Sequence, residues 1–172
     1  MSTYPFGTLP EPHDTCAVLA VNLDKDDAAS LAQLLSGSNW ILREARTCHE
    51  AVVLARGDVP PAVLCAMKMP DADWRSLLSD LQKLPDPPAV IVASRFAEER
   101  LWAEVLNLGG YDVLFLPLQG SELLRALSLA RSAFYRRTKV KTSSPALVTS
   151  SALENLARAM ASYSEVRAGA LK

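Results

Sequence analysis

The residue types most often used in catalysis are few in this sequence, and their spacing does not support a reaction. His13 and His49 are the only histidines. His49 stands beside Glu50, which would suit a metal pair, but a solvated helix start is the favoured interpretation of that dipeptide. The adjacent carboxylates Asp26–Asp27 and Glu98–Glu99 would not face each other on a helix, so solvated surface is the favoured interpretation of both pairs. No set of nucleophile, base and charge stabiliser can be assembled, so the sequence predicts neither an enzyme nor a metal site.

The cysteines also argue against a metal or a disulfide framework. Cys16, Cys48 and Cys65 are odd in number, and none is part of a Cys-x-x-Cys pair. Cys65 lies inside an apolar segment and is expected to be a small core residue. This usage predicts a reducing compartment, the cytoplasm.

Any site must be positioned by five short apolar segments. Four of them are continuous runs, as expected for strands of a parallel sheet covered on both faces. The other interleaves Arg43 and Glu44 with apolar residues and is predicted to be an edge strand. In chain order the segments are Ala17–Val21, Trp40–Ala45, Ala62–Ala66, Ala89–Ala93 and Val113–Leu116.

Helical patterns fill the intervals between these segments. Asp24 is predicted to cap the first helix, Thr47 with Glu50 the second, and Asp71 or Asp73 the third. The helices are predicted over 25–36, 48–56, 74–84, 96–108 and 121–137. Five strand–helix alternations predict an α/β fold in which right-handed crossovers build one doubly wound parallel sheet.

Composition places this domain in a soluble protein. The 172 residues include 49% hydrophobic and 22% charged types, and the formal net charge is −1. No apolar run reaches the roughly 18 residues of a membrane span. Residues 1–15 hold three prolines and lack the basic start of a signal peptide, so they are predicted to be a flexible leader before a domain over 16–137.

The segment Ala62–Pro70, an apolar strand running into Met69-Pro70, resembles the third strand of a response-regulator receiver domain. Gly109, Asp112 and Pro117 also match the family pattern, and the landmarks fall at family distances over about residues 16–137. The resemblance implies a flavodoxin-like sheet in the order 2-1-3-4-5. An unrelated doubly wound domain is the alternative fold interpretation.

The same alignment shows a phosphorylation pocket without its chemistry. Where the family has its phospho-acceptor aspartate, this chain has Ala66, and Asn22 and Leu23 replace the two acidic residues that hold Mg²⁺. Leu116 replaces the lysine that pairs with the phosphoryl group, whereas Ser94 keeps the hydroxyl that binds a phosphoryl oxygen. We therefore expect a degenerate receiver, of the pseudo-receiver type, with no cofactor. Trp74, in place of a small residue, is expected to cover the pocket.

After residue 137 the pattern changes. Residues 138–150 are predicted to be a linker, and residues 151–168 an amphipathic helix with an apolar stripe of Leu153, Leu156, Met160 and Tyr163. This extra C-terminal helix would pack either on its own domain or on a second chain in a homodimer. Six cations from Arg125 to Lys141 are explained either by the dipole at a helix end, which is favoured, or by a nucleic-acid contact.

These observations predict a phosphorylation-independent protein-interaction module of bacterial signal transduction, bound to a signalling partner. By the resemblance, the partner surface would include Arg100, Val113 and Arg125. One alternative is a small-ligand sensor with an apolar hollow near Ala66, Ser94 and Leu116. The other is a nucleic-acid-associated regulator that uses the basic strip 136–141.

Overall fold

A computed structural model describes residues 15–96 and 98–142 of the chain. The elements are β1 (Cys16–Val21), α1 (Lys25–Leu35), β2 (Trp40–Ala45), α2 (Cys48–Gly57), β3 (Ala62–Ala66), α3 (Trp74–Gln82), β4 (Ala89–Ser94), α4 (Glu99–Asn107), β5 (Asp112–Phe115) and α5 (Gly120–Thr142). The predicted leader 1–15, apart from Thr15, and the predicted C-terminal helix 151–168 lie outside the described residues.

The five strands form one parallel sheet in the order β2-β1-β3-β4-β5, which confirms the predicted topology. β1 lies between β2 and β3, with Val18 paired to both Leu42 and Ala62. β3 is central and pairs along its whole length with β4. Because all strands run the same way, the loops that follow β1, β3, β4 and β5 meet at one edge of the sheet.

The two faces of the sheet are covered by different helices. Leu19 and Cys65 face a core shared with α2, α3 and α4, whereas Val18 and Leu64 face a core shared with α1 and α5. This alternation explains why the strands are apolar at consecutive positions, since neighbouring side chains enter opposite cores.

The N-termini of α2 and α3 carry predicted side-chain caps, whereas Asp71 and Asp24 act differently from the prediction. The Thr47 hydroxyl accepts from the Glu50 amide at 3.1 Å, as predicted for the capping box of α2. The Glu50 carboxylate accepts at 2.8 Å from the amide of Arg46, one residue before the N-cap, rather than from that of Thr47. Asp73 caps α3. Asp71 does not: its carboxylate reaches α2 instead. Asp24 occupies the N-cap position of α1, but its side chain makes no capping hydrogen bond.

Two helix boundaries differ from the prediction. α4 begins at Glu99 rather than near Phe96, whose side chain is 76% exposed and takes no part in the predicted apolar stripe. α5 continues to Thr142, five residues beyond the predicted helix end at residue 137 and into the segment predicted to be a linker. No glycine or proline occurs between Ser121 and Ser144, so the first residue that opposes helix continuation is Pro145.

The turn after α4 requires glycine. Gly109 has φ +89°, a left-handed conformation that ends the helix. A Cβ on Gly110 would lie 2.8 Å from the carbonyl oxygen of Val105. Backbone packing at this point directs the chain from α4 straight into β5.

Candidate functional site

The candidate site is the edge of the sheet where the strands end. Ala66 is the last residue of β3 and Ser94 the last of β4, while Asn22 directly follows β1 and Leu116 directly follows β5. The structure thus brings together the five residues that the sequence assigned to a degenerate pocket, with Leu23 next to Asn22. The chemistry of the edge depends on what each side chain offers and contacts.

Ala66 gives the centre of the edge a methyl group and no oxygen. It is partly exposed, and the residue paired with it on β4 is Ala93. Neither side chain can act as a nucleophile or ligate a cation. The polar contacts of the edge come from the residues around this apolar centre.

Asn22 joins the loop after β1 to the loop after β3. Its side-chain amide donates to the carbonyl oxygen of Lys68 at 2.8 Å, and its backbone amide donates to Ala45 at 2.8 Å. The residue has φ +52°, a left-handed conformation that asparagine tolerates better than most side chains. Leu23, the second position of the expected acidic pair, packs against the core beneath α1 and α5.

Ser94 keeps its hydroxyl, but the hydroxyl is already engaged. The residue is 3% exposed, and its Oγ lies 3.2 Å from the Sδ of Met67, to which it donates. The same oxygen accepts from the Phe96 amide at 3.1 Å. Met67, in the loop after β3, therefore accepts the hydrogen bond that the Ser94 hydroxyl at the end of β4 can donate.

Arg95 supplies the cation of the edge. Its Nη2 lies 2.7 Å from Oδ2 of Asp27, whose side chain is only 7% exposed, and 3.7 Å from Oδ2 of Asp24. The guanidinium thus links the loop after β4 to the first turns of α1. Asp27 is one of the two polar or charged side chains that are buried in the described part of the chain, and the other is Ser94.

Leu116 completes the edge with another apolar side chain. It is 8% exposed, packs in the core between the sheet and α5, and donates its amide to the Ser94 carbonyl at 3.0 Å. The Leu116–Pro117 peptide bond is cis. A buried leucine offers no charge to an anion at this edge.

Asp71 ties the loop after β3 to the start of α2. Its two carboxylate oxygens accept from the amides of Cys48 at 2.8 Å and His49 at 3.0 Å. These two hydrogen bonds, with that of His49 contributing most, hold the pKa of Asp71 below its usual value. Together with the hydrogen bond from the Glu50 amide to the Thr47 hydroxyl, they satisfy the first three amides of α2.

Trp74 is a core residue. Its side chain is 0% exposed and packs among the residues shared by the sheet, α2 and α3. A side chain that covered the pocket from the surface, as predicted, would be more exposed than this. The guanidinium of Arg75 stacks 4.7 Å from the centroid of its ring system. The indole nitrogen has no hydrogen-bond partner among the described residues.

A surface hollow of about 300 Å³ lies beside the edge, away from its centre. It is lined by residues at the ends of β1 and β2 and the start of α1, among them Asn22, Lys25, Glu44 and Arg46. The small-ligand alternative placed its hollow near Ala66, Ser94 and Leu116, and none of these three lines this one.

The three residues of the expected partner surface have different environments. Arg100 and Arg125 are exposed, whereas Val113 is 7% exposed and supports the surface from beneath. The large exposed apolar side chains within α4 and β5 are Trp102 (49%), Leu106 (36%) and Phe115 (50%), which we call the α4–β5 patch. The indole Nε1 of Trp102 donates to Oδ1 of Asp112 at 3.3 Å, which holds the ring of α4 beside β5.

Sequence reasoning missed Met67, Arg95 and Asp27. The interpretation of Asp27 as solvated surface is wrong, because the residue is 5% exposed. The sequence does hold a signal for Arg95, because a cation directly follows the retained Ser94. No sequence signal marks Met67, because its role depends on where a flexible side chain turns.

Other chemistry is not assembled in the residues that the structure describes. No group of three or more histidine, cysteine or acidic side chains converges there to hold a metal ion. No helix within 15–96 and 98–142 has the length and hydropathy to cross a membrane. None of the three cysteines forms a disulfide, and burial raises the pKa of Cys65 to about 12.

A family model and solved structures that resemble this chain point to the same protein family. The family model of the response regulator receiver domain matches residues 18–128. No curated protein matches the chain. Among solved structures, the receiver domain of an HD domain-containing protein from Pseudomonas fluorescens is 25% identical, with a TM-score of 0.66 over 77% of this chain and 98% of that one. The receiver domain of the Francisella response regulator 1452 is 24% identical, with a TM-score of 0.62 over 69% and 98%.

Proposed function

Because this chain belongs to the response regulator receiver domain family, a family of signal-transduction domains, we propose that it is a degenerate receiver that works without phosphorylation. Its output is the binding of another signalling protein, and it catalyses no reaction of its own. We place it in the cytoplasm, where its thiols would stay reduced.

One observation carries this proposal: direct contacts already join the loops that a phosphoryl group and Mg²⁺ would have to join. Asn22 connects the loop after β1 to the loop after β3, and Met67 connects that loop to Ser94 at the end of β4. Arg95 then connects the loop after β4 back to α1 through Asp27. The edge is cross-linked by its own side chains and has no need of a ligand to hold it together.

The charges of the edge support the same conclusion. Phosphoryl transfer is catalysed by positioning and by neutralising charge on the transferred group. Mg²⁺ prefers hard oxygen ligands, and the side chains of Leu23 and Ala66 offer none, while Leu116 offers no cation to a phosphoryl group. The guanidinium of Arg95 is committed to Asp27 at 2.7 Å and would have to leave a buried carboxylate in order to bind a phosphoryl group.

The α4–β5 patch is the surface we propose for the partner. Trp102 and Leu106 are one turn apart on α4, and the hydrogen bond from Trp102 to Asp112 fixes the indole beside the strand that carries Phe115. Exposed aromatic side chains held in place by the scaffold lose little entropy on binding, and they are common anchors of interfaces. Arg100 on the same helix and Arg125 on α5 would form the polar rim.

Phosphorylation independence is tested by intact mass. The protein is incubated with Mg²⁺ and a small acyl-phosphate donor, beside a receiver that carries the acceptor aspartate. We expect no added phosphoryl mass on this chain and a stoichiometric adduct on the control. An adduct on this chain at the control's level would contradict the proposal.

The binding function is tested by site-specific cross-linking in cells. A photoreactive amino acid replaces Phe115, and a matched variant carries it at Val53 on α2, which is 52% exposed and lies on another helix. A specific cross-linked partner at position 115 that is absent at position 53 supports the patch, and it should persist when acyl-phosphate synthesis is removed. Equal labelling at both positions, or a requirement for the donor, contradicts the proposal.

The hollow beside the edge favours a second candidate, a small-ligand sensor. Its lining offers Lys25, Arg46 and Glu44 around the start of α1, so it would suit a small polar, charged metabolite. A metabolite screen by thermal shift distinguishes the two functions. A rise in melting temperature that disappears in Arg46→Ala would favour the sensor.

A further inference from the structure

The thioether of Met67 has an environment different from that of its neighbour two residues along. Met67 is partly exposed, and its Sδ lies 3.2 Å from the hydroxyl oxygen of Ser94. Met69 is 7% exposed and belongs to the core shared with α2 and α3. Of the two methionines that the structure describes, Met67 is the more exposed and has its sulfur against a fixed hydroxyl at the margin of the core, whereas Met69 is buried within that core.

A thioether is a weak hydrogen-bond acceptor, whereas a sulfoxide oxygen is a strong one. The donor that a sulfoxide would need is already present, because Ser94 is buried and its hydroxyl hydrogen is directed at the sulfur. Most methionines have no such donor, and a sulfoxide formed on them simply places a polar group against apolar neighbours. At Met67 the cost of the new polar oxygen is offset by a stronger hydrogen bond.

We propose that Met67 is a site of oxidation to methionine sulfoxide by a hydroperoxide. A lone pair of the sulfur attacks one peroxide oxygen, the S–O bond forms, and the O–O bond breaks. The leaving oxygen takes the proton of the hydroxyl that has been transferred to sulfur, which leaves the sulfoxide, and departs as water or an alcohol. The sulfur is oxidised by two electrons and the peroxide is reduced by two, so no further reactant is required.

The modification would act on the same loops that hold the edge together. The Ser94 hydroxyl also accepts from the Phe96 amide, in the segment that leads to α4. A sulfoxide oxygen on Met67 would therefore strengthen the link between the loop after β3 and the end of β4, just ahead of the helix that carries Trp102. An oxygen atom added at Met67 would be a chemical input to an edge that lacks a phospho-acceptor.

Reactivity is tested first on the native chain with hydrogen peroxide, followed by peptide mass spectrometry. We expect Met67 to gain oxygen several-fold faster than Met69, because oxidation follows exposure. In concentrated urea the two residues should react at the same rate, which shows that the fold causes the difference. Equal rates in the native protein would overturn the proposal.

The role of Ser94 is tested by thermal unfolding of the peroxide-treated proteins. Met67→Leu, similar in volume, reports the effect of oxidising the other methionines alone. Oxidation should lower the melting temperature of Ser94→Ala more than that of the wild type, because only the wild type can donate to the sulfoxide. Equal shifts in wild type and Ser94→Ala would overturn the pairing. Identical shifts in wild type and Met67→Leu would overturn the modification as a structural input, whether or not Ser94→Ala folds.

Discussion

Arg95 on the loop after β4 and Asp27 on α1 form an ion pair of 2.7 Å in which the acid is buried and the base is half exposed. The two residues are 68 positions apart in the chain, and their contact connects the first turn of α1 to the loop after β4, the strand next to β3. In a family whose activity depends on charges at this edge, this pair provides the charge balance internally.

We expect Arg95→Met to destabilise the fold because Asp27 would remain buried without its cation. The loss should be about 1–2 kcal/mol, reduced from the value for a fully buried pair since Arg95 is 49% exposed. Arg43→Met is the matched control: Asp58, its partner, is 80% exposed, and the cost should be under about 0.5 kcal/mol. Urea unfolding measures both. Equal losses would mean that burial of Asp27 does not matter.

Asp71 should make stability depend on pH in the acidic range. Its folded-state pKa lies below the unfolded value because its carboxylate accepts the amides of His49 and Cys48. The stabilisation is therefore present above the unfolded pKa of about 3.9 and is lost as pH falls through the folded pKa. The melting temperature of Asp71→Ala should be lower than that of the wild type at neutral pH and should converge with it in strong acid. If the difference in melting temperature between the two proteins stays constant over this pH range, the Asp71 carboxylate does not stabilise the start of α2.

Restoring the acceptor alone should not restore phosphorylation. Ala66→Asp supplies a carboxylate, but Leu23 and Leu116 still provide neither a metal ligand nor a cation, and the Ser94 hydroxyl remains bonded to Met67. We expect no adduct from acyl phosphate and Mg²⁺ by intact mass. Combining Ala66→Asp with Leu23→Asp and Leu116→Lys is the comparison that should gain one. Stoichiometric labelling of Ala66→Asp alone would show that the remaining edge is competent.

Phe115→Ala should separate binding from stability. Half of the side chain is exposed, so its loss should change the free energy of unfolding by about 1 kcal/mol or less. If it anchors a partner, the affinity for the protein cross-linked at position 115 should fall by more than about 1 kcal/mol, measured by calorimetry. Val53→Ala removes a similarly exposed apolar group from α2 and should leave affinity unchanged.

Gly110→Ala should be costly, although alanine usually favours order. The new Cβ would lie 2.8 Å from the Val105 carbonyl oxygen, so the turn between α4 and β5 must shift, at about 1–3 kcal/mol. Gly57→Ala is the control, because a Cβ there meets nothing within 4 Å and the residue is helical. Chemical unfolding should show Gly57→Ala neutral or stabilising. If Gly110→Ala leaves the free energy of unfolding unchanged, the turn between α4 and β5 can shift at little cost.

The sheet could be predicted because consecutive apolar residues, regular spacing and turn residues all indicate the same backbone. The positions of Ala66 and Ser94 follow from that backbone, since each ends its strand. The contacts of the edge could not be predicted in this way. Met67 and Arg95 reach Ser94 and Asp27 through several rotatable bonds, and sequence spacing does not encode where such side chains end.

The predicted start of α4 and the predicted exposure of Val113 were wrong because contacts outside the apolar pattern decide both. Phe96 fits a helical stripe in sequence, but the Ser94 hydroxyl accepts its amide and keeps the segment outside α4. Val113 was expected at the partner surface, whereas the strand directs it into the core beneath α4. A local hydrogen bond at Phe96 and burial against the core at Val113 decided the outcome over the apolar pattern.

The burial of all three cysteines has a practical consequence for labelling. Cys16 and Cys48 are 4% and 5% exposed, Cys65 is fully enclosed, and burial raises the pKa of both Cys48 and Cys65. Maleimides react with accessible thiolates, so the native chain should be almost unreactive while folded. A single cysteine introduced on the α4–β5 patch would then accept a fluorophore selectively on the otherwise unaltered sequence, and partner association could be followed optically.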